Sequence, residues 1–184
     1  MKKEYFSIPN LMGYFRILMI PVFLFLYYHA DSKEEYLVSF VILGISLLTD
    51  FFDGKIARRF HMVTEFGKML DPVADKLTQG ALGIAVMMRY PMMRIFLVVF
   101  VLKECYMSCM GLYLIRKKHV RNGAQWYGKI CTAVVDVGVV FLLLFPDLSE
   151  GIANGVIWAM IGFMIFSLVN YVRFHMRILN EQGC

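Results

Sequence analysis

Six apolar runs, each near the roughly 20 residues that a bilayer-spanning helix needs, dominate this chain of 184 residues. They occupy approximately residues 11–28, 36–53, 69–88, 95–115, 130–147 and 152–174. A backbone in hydrocarbon must satisfy its own hydrogen bonds, so the runs predict an all-α integral membrane protein, a six-transmembrane-helix bundle. Hydrophobic residues make up 59% of the chain, above the share of an ordinary soluble domain. The connections are short, so residues 1–184 read as a single membrane domain without a soluble one. The first run does not read as a cleavable signal peptide. Arg16 lies inside it, its length suits a span, and no small-residue cleavage site follows.

Basic residues mark one side of this bundle. Lys2 and Lys3 precede the first run, and Lys55, Arg58, Arg59 and Lys68 surround the second connection. Arg116, Lys117, Lys118, Arg121 and Lys129 fill the fourth connection, and Arg173 and Arg177 follow the last run. The other side has Lys33, Arg89 and Arg94, besides acidic Asp147 and Glu150. With an even number of spans, both termini are expected to be cytoplasmic, in a multi-pass protein of the plasma membrane. The net charge of +5 follows from this asymmetry and points to anionic lipid headgroups, not nucleic acid.

Four carboxylates interrupt the apolar pattern. Asp50 and Asp53 end the second run, three apart on one helix face, and Asp71 and Asp75 open the third, four apart. Ionisable groups at that depth are costly and mark function, and four together repel unless cations sit between them. Gly54, Ala57 and Gly67 leave room for something bulky, and Arg58 supplies a fork of donors suited to phosphate. Such a set fits a divalent-metal site that holds a diphosphate. Ligands made only of carboxylates favour hard ions, Mg²⁺ or Mn²⁺, over zinc.

The positions Asp50, Asp53, Gly54, Ala57, Arg58, Gly67, Asp71 and Asp75 spell D-x2-D-G-x2-A-R-x8-G-x3-D-x3-D. This string resembles the signature of the CDP-alcohol phosphatidyltransferases at every fixed position, and length and helix count extend the resemblance over most of the chain. The resemblance implies two metal ions per active site on Asp50, Asp53, Asp71 and Asp75, with Asp75 as the general base for the acceptor hydroxyl. It implies a donor site for CDP-diacylglycerol at the cytoplasmic face, built from Asn10, Gly54, Ala57, Arg58 and Gly67, and a homodimer. Arg16 also matches a family position, and it is expected to pair with the acids or to reach for the interface.

Gly128-Lys129-Ile130-Cys131-Thr132 resembles the G-K-x-K-T segment of the phosphatidylglycerophosphate synthase branch, with Cys131 in place of its second lysine. That branch implies sn-glycerol 3-phosphate as acceptor, held by Lys129, Thr132, Arg116, Lys117 and Arg121, with CMP as leaving group. Phosphatidylglycerol as acceptor (giving cardiolipin), or serine or inositol, are alternatives within the family. A divalent-cation transporter is the alternative outside it.

Other residues leave their roles open. Ser7 or Asn10 can cap the first helix, and Pro9 is tolerated in its first turn. Lys76 is a counter-charge or a phosphate ligand. Lys103 and Glu104, adjacent within the fourth run, diverge on a helix and call for partners elsewhere, as a salt-bridge network or toward substrate. Asp136 shares a face with Lys129. Cys105, Cys109 and Cys131 read as buried small hydrophobes, the scattered His29, His61, His119 and His175 as interfacial, and the tail 178–184 as polar and mobile.

Overall fold

The computed structural model describes residues 7–59, 64–118, 125–145 and 147–181. Six helices account for nearly all of them: α1 Ile8–Tyr28, α2 Lys33–Arg59, α3 Glu65–Met87, α4 Met93–Lys118, α5 Trp126–Leu144 and α6 Glu150–Glu181. Each contains most of one apolar run, and there is no strand among the described residues. Four stretches are long and apolar enough to cross a membrane: Asn10–Tyr28, Met93–Leu114, Trp126–Leu144 and Glu150–Asn180. Charges set α2 and α3 apart from these. α2 carries Glu34 and Glu35 at one end and Lys55 and Arg59 toward the other, and α3 carries Asp71, Asp75 and Lys76.

Two compact units divide the chain, Met1–Ala85 and Val86–Cys184. In the first, α1 starts with a proline where no backbone N–H is needed. Ser7 stands at its N-cap position, but the hydroxyl is buried without a hydrogen-bond partner. The start of α2 is a capping box. Glu35 N donates to Ser32 Oγ at 3.3 Å, while Glu35 Oε2 accepts from the N–H groups of Asp31 and Ser32 at 2.7 and 3.3 Å. Tyr27 sets its ring edge-on to Tyr36 and Phe40, closing the α1–α2 hairpin.

Buried positions follow a three-four spacing on each helix, as a core-facing stripe should. On α2 they are Ser39, Leu43 and Ser46, and the same spacing continues in sequence to positions 50 and 53. On α3 they include Ala74, Thr78, Ala81 and Ala85, whose small side chains permit close helix approach. Ile20 and Phe23 of α1, Leu43 and Ser46 of α2, and Thr78 and Leu82 of α3 enclose a void of only ≈ 10 Å³. Two buried hydroxyls are satisfied within their own helices: Ser39 Oγ donates to the Tyr36 carbonyl at 2.7 Å and Thr78 Oγ1 to that of Ala74 at 2.9 Å.

In the second unit, α6 packs on both α4 and α5. Gly138 lets α5 lie against α6, since a Cβ there would run into Met160. The core includes Leu114, Cys131, Val135, Leu142, Ile157 and Met164. Helix α6 continues to Glu181, which corrects the expectation of a mobile tail from residue 178. Arg177, Ile178 and Leu179 are adequate helix formers and simply extend the preceding turns.

Large apolar side chains lie open along the helices: Leu18, Val98, Leu102 and Val137 are each at least 60% exposed. Surface of this kind suits hydrocarbon, not water. Cys105 and Cys109 are on the exposed surface of α4, so only Cys131 fits the expectation of a buried thiol. His29 is exposed, while His175 is buried inside its unit. His61, His119 and Cys184 lie outside the described residues.

Candidate active site

The polar end of the first unit is built on Arg16. Its side chain is only 2% exposed, and Nη1 lies 2.6 Å from Asp75 Oδ1. A guanidinium buried this deeply between helices needs an anionic partner to offset its lost hydration. The Asp75 carboxylate is 53% exposed, so it meets Arg16 on one side and solvent on the other. Arg16 and Asp75 both lie within electrostatic reach of exposed Asp71, one turn earlier on α3. The expected pairing of Arg16 with the acids is therefore present, and Asp75 is a partner among the described residues. Lys76 turns away and donates to Gln79 Oε1 at 3.1 Å.

A second clamp joins the start of α1 to the start of α3. Thr64 is the N-cap of α3: its Oγ1 accepts from the Gly67 N–H at 2.9 Å. The same hydroxyl accepts from Asn10 Nδ2 at 3.1 Å. Asn10 is buried and inside α1, so of its two expected roles it does not cap that helix. Gly67 has a reason to be glycine, because a Cβ there would stand 2.6 Å from Asn10 Oδ1 and 3.0 Å from Thr64 Oγ1. Gly13 does the same a turn along α1, where a Cβ would meet Leu70 at 2.8 Å. Thr64 is not one of the motif's fixed positions, and its only signal in the sequence is a threonine directly before a helical pattern.

Asp50, Asp53, Gly54, Ala57 and Arg58 belong to the last turns of α2, but beyond that helical backbone they lie outside the described residues. No group of three or more His, Cys, Asp or Glu among the described residues is placed to hold a metal ion. Asp71 and Asp75 offer exposed carboxylate oxygens a turn apart on α3, a donor set of the hard kind that Mg²⁺ and Mn²⁺ take. With the two aspartates of α2 added, the residues present fit such ions.

The expected acceptor residues belong to the second unit. Arg116 is exposed near the end of α4, and Lys129 is exposed in the first turns of α5 with half-buried Thr132 after it. Arg121, and the side chain of Lys117, lie outside the described residues. Lys103 and Glu104 do pair with each other, Nζ to Oε1 at 2.7 Å, which corrects the expectation that neighbours on a helix cannot. Adjacent Cβ atoms diverge by about 100°, but the flexible lysine stem folds back over that angle. Lys103 is nearly buried, so the pair removes the cost of an isolated charge. Tyr106 Oη and His175 Nδ1 are 3.3 Å apart, and Tyr171 Oη accepts from the Gln125 N–H at 3.2 Å.

A family model described as CDP-alcohol phosphatidyltransferase matches residues 6–167. A Rickettsia typhi protein named CDP-diacylglycerol--glycerol-3-phosphate 3-phosphatidyltransferase is 44% identical over 78 residues, which are 42% of this chain and 43% of that relative. That match thus spans less than half of the relative's length. Proteins of the same name from Salmonella typhimurium and Escherichia coli are 32% and 30% identical over 146 residues, 78% of this chain and 80% of each relative.

Proposed function

Because this chain belongs to the CDP-alcohol phosphatidyltransferase family, we propose that it moves the phosphatidyl group of CDP-diacylglycerol to sn-glycerol 3-phosphate, making phosphatidylglycerophosphate. The observation that carries this reading is the unbroken aspartate motif, with Asp75 of that motif fixed by buried Arg16. The names of the enterobacterial relatives, which align over 80% of their own length, support the acceptor.

In this mechanism Asp50, Asp53 and Asp71, with Asp75 beside them, hold two Mg²⁺ or Mn²⁺ ions. When bound, the ions neutralise the diphosphate and stabilise charge on the departing phosphate. Gly54 and Ala57 leave space for the cytidine, Gly67 lets Asn10 seat against the start of α3 beside it, and Arg58 holds phosphate. Lys129, Thr132, Arg116, Lys117 and Arg121 receive the phosphate of the acceptor. The acceptor hydroxyl oxygen attacks the lipid-side phosphorus as its proton passes to Asp75. The bond from that phosphorus to the bridging oxygen breaks, and CMP departs with that oxygen. A carboxylate base of this kind contributes a factor of about 10² to 10⁴.

The site belongs at an interface because its donor does: the acyl chains are soluble only in the bilayer and the CDP head only in water. The proposal therefore includes six spans, cytoplasmic termini, an active site at the cytoplasmic face of the plasma membrane, and the homodimer that the resemblance implies. Exposed apolar side chains on the helices and the one-sided basic residues support it.

The test is acceptor choice. Purified protein is given labelled CDP-diacylglycerol, Mg²⁺ or Mn²⁺, and glycerol 3-phosphate, phosphatidylglycerol, serine or inositol in turn, and CMP release is followed. Release is expected with glycerol 3-phosphate, and Lys129→Ala should raise its KM. Release driven by another alcohol would reassign the acceptor, and the absence of release with all four would favour a non-enzymatic role such as cation transport.

A further inference from the structure

We propose that Tyr171 is a positioning residue for the acceptor: its hydroxyl fixes the first turn of α5, and through it Lys129. This rests on the acceptor reading given above. Helix α5 begins without a side-chain cap, and its N-cap residue, Gln125, makes no capping bond of its own. Glutamine is not among the residues that serve this position well. The Gln125 carbonyl accepts from the N–H groups of Gly128 and Lys129 at 3.0 and 3.2 Å, closing the first turn. The Gln125 N–H in turn donates to Tyr171 Oη at 3.2 Å. A continuous path of hydrogen bonds thus runs from the α6 hydroxyl through Gln125 to the backbone of Lys129.

The surroundings hold Tyr171 rigidly enough to act as that reference point. It is buried, and its ring meets the edge of Tyr127 at a centroid distance of 4.7 Å. Residue 128 must lack a side chain for the contact to exist, because a Cβ there would collide with Tyr171 Oη. The glycine of the Gly128-Lys129 segment therefore has a packing reason that also ties the lysine to α6. A turn further along α6, His175 bonds Tyr106 of α4, so α6 references both helices that carry the acceptor cations. The lysine itself stays exposed, free to meet an anion.

The experiment compares Tyr171→Phe, Lys129→Ala and the double variant in the full-length enzyme, with CMP release as readout. Tyr171→Phe keeps the ring packing and removes only the acceptor oxygen. It is expected to raise the KM for glycerol 3-phosphate about fivefold, the scale of one net hydrogen bond, with kcat within about twofold and the donor KM unchanged. The double variant should be no worse than Lys129→Ala, because both act through the same group. Gly128→Ala, which displaces the same hydroxyl, should shift the acceptor KM in the same direction and serves if Tyr171→Phe does not fold. An unchanged acceptor KM, an equal effect on both substrates, or simple additivity would overturn the proposal. If Lys129→Ala itself leaves the acceptor KM unchanged, the acceptor assignment fails; if it raises KM while Tyr171→Phe is silent, only the positioning role fails.

Discussion

Arg16 Nη1 and Asp75 Oδ1 stand 2.6 Å apart, joining α1 to α3 across 59 residues of sequence. The arginine is buried and the aspartate half exposed, so the pair links the core of the first unit to its reactive edge. A guanidinium in this position orients the carboxylate, and any carboxylate is a weak base for an alcohol, which leaves much of the rate to substrate positioning and charge neutralisation. Arg16→Met should therefore lower both stability and turnover. Because Asp75 is half in solvent, we expect about 1–3 kcal/mol of destabilisation, in the range of a charged hydrogen bond. Thermal unfolding in detergent and CMP release check this, and a variant unchanged in both would show that the pair does not matter.

The Asn10–Thr64–Gly67 clamp makes a separate prediction. Thr64→Ala removes the α3 cap and should cost about 1 kcal/mol. Gly67→Ala forces a methyl against Asn10 Oδ1 and should cost about 1–3 kcal/mol while weakening donor affinity more than acceptor affinity. Melting curves and the two KM values read these effects, and a silent Gly67→Ala would mean that the helices separate without loss.

Glu35 offers a pH test outside the apolar runs. The N–H groups of Asp31 and Ser32 hold its carboxyl below the usual glutamate range. A depressed folded value stabilises the protein above the unfolded value, about pH 4.3, and that contribution fades as pH falls through the lowered one. Glu35→Gln should thus melt below the parent at about pH 6 and converge with it on acidification. A gap that does not depend on pH would contradict the capping box.

Much of this was legible in the sequence, and the exceptions have physical causes. Apolar runs of spanning length fix six helices whatever their neighbours do, and the aspartate spacing fixes which acids share a face. Arg16 announced a need for an anion, but spacing alone did not choose Asp75 among four candidates. Thr64 falls in the variable gap between Arg58 and Gly67 and looks like turn chemistry until its hydroxyl is seen to serve two helices. Tyr171 reads as one more aromatic in an apolar run, since only the approach of α5 shows what its hydroxyl does. The Lys103–Glu104 pair was missed because helix angles describe Cβ directions, not the reach of a lysine.

The proton acceptor has its own consequence. Asp75→Asn keeps the shape and removes the charge that takes the proton. Turnover should fall by about 10² to 10⁴ while labelled CDP-diacylglycerol still binds. Full activity in that variant would remove Asp75 from this role.

The most direct test is the stoichiometry of the reaction under control of divalent ions. With CDP-diacylglycerol, glycerol 3-phosphate and Mg²⁺ or Mn²⁺, each CMP released should be matched by one phosphatidylglycerophosphate, both should vanish on chelation, and both should return when the ion is restored. Turnover that ignores the chelator, or CMP that appears without the lipid product, would contradict the aspartate-based transfer.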